Sequence, residues 1–377
     1  MITVDLKNTE PAPKQWPKIF DYQEDINKLS AEIAKIGSFQ KIIVIGNGGS
    51  ITSYDAYIGA LSHKLESKTV WSMDPAMLTE VRKECPAEKT VVFAISKSGN
   101  TLGQIESLLN FIDYKVVCVT QAKDSTLYQI AKRKGFVIIP HPDIGGRFSG
   151  NSACAYAPAL AAGIKAAKIQ TGFKTGYKNL RNMAYTLAKS YFELEKQGYS
   201  EVYISIYPYK LANTANLIIQ LMHESVCKDG QGQTFYVSMG PECQHHTNQR
   251  FLGGKKNVIG TFIVTEISEN SENNKISTSG LSGISYKGKK LEFLNGISYS
   301  RALAAEYQGT KDQADKLLIP NFTISLDKID ENSIGEFISF WQMVAFYSSI
   351  LRGVNPFDQP AVEDSKNITL QILLNKR

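Results

Sequence analysis

The sequence predicts an α/β protein built on mainly parallel, doubly wound sheets with helices on both faces. Two observations point there. Short apolar, β-branched runs recur along the chain, first as KIIVIG (41–46), TVVFAIS (90–96), YKVVCVT (114–120) and FVIIP (136–140). These runs are nearly all apolar rather than alternating, which suits strands covered on both faces. Helical patterns separate them, and that alternation is the rhythm of βαβ units.

The elements follow in order. Helical periodicity falls at 51–65, 101–112 and 124–134, between the first four strands. The Ala-rich stretch FSGNSACAYAPALAAGIKAAK (148–168) reads as a buried helix closing the first half, and 176–198 as a polar-faced bridging helix. Alternation then restarts with EVYISIYP (201–208), a long helix near 211–228, QTFYVSMG (233–240) and NVIGTFIVTEI (257–267). Residues 268–297 read as a surface excursion with a hairpin pattern, followed by helix 299–316, strand FTISLD (322–327) and helix 334–352. After NPFDQP a last helix begins, with Asp358 and Pro360 as its start signals. The restart predicts two tandem α/β/α sandwiches, 1–172 and 173–353, with a C-terminal helical segment at 354–377.

Size and composition agree. At roughly 100–200 residues per domain, 377 residues hold two domains with cores of their own. Hydrophobic residues make up 43% and charged residues 21%, the balance of a soluble globular protein. A net charge of +6 is mild, and the basic clusters KKNV and KGKK are short and isolated, so no nucleic-acid footprint is expected. The five cysteines are widely spaced and form no CxxC pair, which argues against a disulfide framework or zinc site and for a reducing, cytoplasmic setting. The N-terminus carries no apolar core of signal-peptide length, and no run approaches the ~18 apolar residues of a membrane span. A soluble small molecule is the expected partner.

Two strand-to-helix turns carry the chemistry. VIGNGGSITS places Gly46, Gly48, Gly49 and Ser50 after the first strand, and SKSGNT places Ser96, Lys97, Ser98, Gly99 and Thr101 after the second. In a parallel sheet such turns open at the carboxyl edge, where ligands bind. The free N–H groups and dipole of a helix start favour an anion there. Ser, Thr and Asn also serve as ordinary helix caps, and either turn alone would be read that way. Neither matches GxGxxG or a Walker loop, so a nucleotide is not indicated. Two cradles in one sheet point to a smaller phosphorylated ligand.

GNGGS followed by SKSGNT resembles a sugar isomerase (SIS) domain, which binds phosphosugars. Four further stretches resemble the glucose-6-phosphate isomerase family: GGRFSGNSA (145–153), QLMHESVCKDG (220–230), GPECQHHTNQ (240–249) and VNPFDQPAVEDSK (354–366). Their order runs through the chain from about 41 to 366. Departures are Gly103 where the family usually has a glutamate, ESVCKDG for an ESNGK-like run, His246 where serine often follows the motif histidine, and a chain short for the family.

The resemblance implies two SIS-type domains and aldose–ketose isomerisation of a hexose 6-phosphate by ring opening and proton transfer through a cis-enediol. It implies Glu224 as the base that moves the proton between C1 and C2, Arg147 as the stabiliser of the enediolate, and His245 with Lys366 as the ring-opening pair. Gly49, Ser50, Ser96, Lys97, Ser98 and Thr101 are then the phosphate-binding positions, with Gln220 and Gln359 contacting substrate. Taken without it, a helical Glu, a loop Arg or a Lys near the C-terminus is more often solvated surface. His141 and His223 read as structural. No cofactor or metal is implied, and no HxxxH or carboxylate cluster with ligand spacing occurs. The family's histidine arrives from the partner subunit, which implies a homodimer with a shared active site. Two alternatives remain open: an enzyme that also accepts mannose 6-phosphate, and a non-catalytic SIS-domain sensor. A sensor needs the phosphate turns but not the base, arginine and lysine together.

Overall fold

A computed structural model of the chain describes residues 1–121, 123–266 and 274–375. The chain divides into two compact units, each assembled from separate stretches: Leu6–Gln197 with Lys210–Thr234 and Ile329–Arg377, and Met1–Asp5 with Gly198–Tyr209 and Phe235–Lys328.

The larger unit is built on a five-stranded sheet in the order Glu66–Val70, Lys41–Ile45, Thr90–Ile95, Lys115–Thr120, Val137–Pro140. Every pairing in it is parallel. Burial explains the unbroken apolar character of its central strands: the 90–95 strand is buried at every position and the 41–45 strand at all but Lys41. Ile43, Val92, Val116 and Cys118 form one apolar cluster with Val81, Leu108 and Phe111 from the covering segments. The expected helix over 148–168 is instead interrupted. A 3-10 turn covers Gly146–Asn151, a helix runs from Ala153 to Ala161 with Pro158 inside it, and the next helix starts at Ala166. Gly163, at φ +85°, breaks the path between them in a backbone region that L side chains rarely adopt.

Helix Glu331–Arg352 also belongs to this unit and packs along Ala166–Asn179 and Arg181–Lys196. It starts three residues earlier than its periodicity suggests, because Asp330 and Ser333 form a reciprocal capping box. Gly172 permits the close approach: a Cβ there would stand 2.0 Å from the Asn332 carbonyl oxygen. By length and composition this helix could cross a membrane, but 83% of its most apolar window is buried within the protein.

The smaller unit carries strands Ile2–Val4, Asn321–Leu326, Val258–Thr265, Glu201–Ile206 and Thr234–Met239, in that spatial order. Strands 321–326, 258–265 and 201–206 pair in parallel, and Ile2–Val4 is an antiparallel edge. Phe251, Phe262 and Tyr203 anchor its core. Of the expected surface excursion, residues 267–273 lie outside the described residues; Ser285–Tyr286 and Lys289–Lys290 form the hairpin.

Candidate active site

In the larger unit the 41–45 and 90–95 strands are neighbours, with Ile45 opposite Ala94. Their turns therefore open side by side at the carboxyl edge. The first forms a 3-10 turn over Gly48–Ser50. In the second, Ser96 is buried, its Oγ accepts from the Gly99 N–H at 3.1 Å and it lies 3.2 Å from the Thr101 Oγ1. Thr101 is the N-cap of helix Leu102–Asn110, and its side chain makes no cap hydrogen bond. Ser98 is exposed, and Lys97 pairs with Asp143 at 2.8 Å. That ammonium holds the Asp143 carboxyl below the usual range.

Backbone contact draws a third turn to the first. A Cβ on Gly49 would stand 2.1 Å from the Gly146 carbonyl carbon and 2.2 Å from the Arg147 nitrogen, so only glycine fits. A Cβ on Gly48 would meet the Gln220 amide nitrogen at 2.6 Å. Gly48, Gly49, Arg147 and Gln220 thus share one place. Helix Ala215–Val226 buries Leu217, Ile218, Leu221 and Met222, which leaves Gln220 and Glu224, one turn apart, on a partly open face. The Gln220 amide donates to Glu224 Oε1 at 2.9 Å and accepts from the Thr52 hydroxyl at 3.2 Å.

Arg147 is buried, and all five of its N–H groups have acceptors. Nε donates to Ser225 Oγ at 2.8 Å. Nη2 donates to the carbonyls of Pro356 and of Asp358, the latter at 2.9 Å. Nη1 has the two longest bonds, 3.2 Å to Glu224 Oε2 and 3.4 Å to Gln359 Oε1. Three N–H groups are thus fixed to the scaffold, and Nη1 is the nitrogen whose hydrogens are most readily exchanged to another acceptor. Burial lowers the Arg147 pKa and the Glu224 carboxylate opposes this. An arginine side chain is so strong a base that the group stays cationic.

The structure therefore brings together Glu224, Arg147, Gln220 and Gln359 beside Gly49 and Ser50. It does not bring Lys366 to them by any hydrogen bond: the ammonium is exposed and pairs with Glu363 at 2.6 Å within helix Glu363–Leu374, whose described residues are all exposed. His245 belongs to the smaller unit and is exposed, while His246 beside it is engaged by Glu242 and Thr247. Three residues at the site escaped the sequence reading: Thr52, Ser225 and Lys228. Lys228 bonds to Asp358 at 3.0 Å with its side chain only 9% exposed. Among the described residues, no three His, Cys, Asp or Glu side chains gather as a metal-binding set.

No family model matches the chain. Curated relatives do: it is 28% identical over 389 residues to the glucose-6-phosphate isomerase of Mycoplasmopsis synoviae, covering 95% of this chain and 88% of that one. It is 26% identical over 372 residues to the glucose-6-phosphate isomerase of Methanocaldococcus jannaschii, covering 93% and 88%. Among solved structures, a hypothetical protein from Thermus thermophilus superposes with a TM-score of 0.80 at 22% identity, over 94% of this chain and 89% of that one. A glucose-6-phosphate isomerase from Chlamydia trachomatis superposes at 0.73 with 20% identity, over 93% and 74%. The fold is that of the SIS-type phosphosugar isomerases. Within that class, the curated relatives that span nearly the whole chain are glucose-6-phosphate isomerases.

Proposed function

We propose that the chain interconverts D-glucose 6-phosphate and D-fructose 6-phosphate without a cofactor. The observation that carries this reading is the buried Arg147 guanidinium holding its least constrained nitrogen against the Glu224 carboxylate, beside a glycine turn suited to an anion. Glu224 takes the proton from one of the two carbons that form the enediol, C1 or C2, and returns it to the other, so a single positioned carboxylate serves both half-reactions. Arg147 Nη1 exchanges its long bonds for the enediolate oxygens as charge develops there, a preorganised electrostatic device. The turns at 46–50 and 96–101 hold the phosphate through Gly49, Ser50, Ser96, Lys97, Ser98 and Thr101. Gln220 fixes one carboxylate oxygen of Glu224, leaving the other to act.

Ring opening is assigned to His245 and Lys366, acting in a homodimer in which the partner subunit supplies the histidine. The exposed helix Glu363–Leu374 supports a second copy as its cover, since Ile368, Leu370, Ile372, Leu373 and Leu374 all face solvent in one chain. Five free cysteines fit a cytoplasmic enzyme. The test is a coupled assay with fructose 6-phosphate, run beside mannose 6-phosphate, on the wild type and Glu224→Gln. Turnover of the wild type and a loss of at least ~100-fold in the variant, with retained sugar-phosphate binding by calorimetry, are expected. Near-normal turnover by Glu224→Gln would remove the assigned base.

A further inference from the structure

Lysine is rarely buried unless its charge is paired, yet the Lys228 side chain is only 9% exposed at the end of the helix that carries Glu224. Its three N–H donors meet three acceptors: the Ser225 carbonyl at 3.1 Å, the Asn355 carbonyl, and Asp358 Oδ1 at 3.0 Å. The last two belong to the turn whose next carbonyls hold Arg147. That turn is closed on itself, with Asn355 Nδ2 donating to Asp358 Oδ2 and the Phe357 N–H to Asn355 Oδ1, both at 3.0 Å. Phe357 seats it against Phe148, ring centroids 5.4 Å apart. One buried cation and one largely covered one therefore grip one short turn: Lys228 takes the carbonyl of 355 and the carboxylate of 358, Arg147 the carbonyls of 356 and 358. A guanidinium is held no better than its acceptors are.

We propose that Lys228 is a positioning residue for the isomerisation: it fixes the 355–359 turn, the turn fixes Arg147, and Arg147 thereby presents Nη1 beside Glu224. This rests on the reading of Glu224 and Arg147 given above. The Lys228 ammonium also holds the Asp358 carboxyl below its usual range, so that carboxylate stays charged across the working pH.

A role through Arg147 separates from a merely structural one by kinetics. Lys228→Met, of similar length but without donors, is expected to lower kcat tenfold or more for fructose 6-phosphate. KM should stay within twofold, because the turns at 46–50 and 96–101 are untouched. Lys228→Arg, which keeps the charge and the donors, should recover at least half of the turnover. In an Arg147→Lys background Lys228→Met should cost less than twofold further, since its effect travels through a group already lost. A wild-type kcat in Lys228→Met, or the same loss in both backgrounds, overturns the proposal. If Lys228→Met does not fold, Asp358→Asn carries the test, with kcat expected about fourfold lower at unchanged KM and an unchanged kcat counting against the clamp. Glu224→Gln assayed in parallel separates the two failures. Inactive Glu224→Gln with fully active Lys228→Met sinks the clamp alone, whereas active Glu224→Gln sinks the site reading and the clamp with it.

Discussion

Replacing Arg147 by lysine keeps the charge and tests whether its geometry matters. Five N–H donors serve five acceptors in the native protein. An ammonium has three. At least two acceptors are then abandoned. Two buried, unpaired groups at ~1–3 kcal/mol each remove roughly 2–6 kcal/mol from the packing of the C-terminal turn. The kinetic loss is separate. Removing one preorganised donor from a developing oxyanion costs on the order of 10²–10³ in kcat, ~3–4 kcal/mol. Lysine also cannot reproduce the planar fork that places Nη1 between Glu224 and Gln359. The assay follows glucose 6-phosphate formed from fructose 6-phosphate through a coupled dehydrogenase, with folding checked by circular dichroism. A fall of at least ~100-fold in kcat with KM nearly unchanged is expected. A folded Arg147→Lys enzyme turning over within threefold of the wild type would refute the assignment of the guanidinium to the reacting oxygens.

Gly49→Ala should destabilise by ~1–3 kcal/mol through overpacking, because its Cβ would collide with the backbone of Gly146 and Arg147. Gly145→Ala has nothing within 4 Å of the added carbon and is the control; equal melting temperatures for the two would exclude the close turn-on-turn contact. His141 gives a pH prediction. It is buried at the end of the Val137–Pro140 strand, its Nδ1 donates to the Pro142 carbonyl at 2.7 Å, and burial lowers its pKa, with Lys97 adding to the effect and the Pro142 bond and Asp143 opposing it. With the folded value below the unfolded one of about 6.5, the neutral ring contributes stability that is full above that pH. The contribution is lost as pH falls through the folded value, at most ~1.4 kcal/mol per pH unit. Denaturant unfolding between pH 7.5 and 5 (roughly the histidine window) should show a shallower loss for His141→Gln than for the wild type, and parallel profiles would contradict this.

Legibility of the fold tracked burial. The 41–45, 90–95 and 115–120 strands stood out because a sheet covered on both faces demands unbroken apolar runs. Glu66–Val70 left no such trace. It is the edge strand, and its first four residues, Glu66, Ser67, Lys68 and Thr69, are polar and incompletely buried. Ile2–Val4 is three residues long and pairs with Leu326, Ser325 and Ile324 from the far end of the chain, a partnership no local window contains. The break within 148–168 followed the same logic. Its Ala content favours helix, while the contact between Gly49 and Gly146 and the capping of the next helix by Ser152 decide where helix can start.

The site divides along a different line. Helical spacing alone puts Gln220 and Glu224 on one face, and the turn glycines announce themselves by residue type. What local sequence cannot hold is the partner of a charge. Arg147 is silent until the carbonyls at 356 and 358 appear, more than 200 residues away. Lys228 at a helix end reads as solvated surface until the turn at 355–358 covers it. Carbonyl acceptors carry no side-chain signature, since every residue has one, so a cation bound by backbone looks like any surface cation in a sequence. Burial changes the reading: a lysine that gives up water must recover three hydrogen bonds, and the residues supplying them are constrained as strongly as the lysine itself. The C-terminal turn is therefore part of the site's rigidity as well as its chemistry, which is why a substitution at 228, whose side chain bonds to neither Glu224 nor Arg147, is expected to register in kcat rather than in binding.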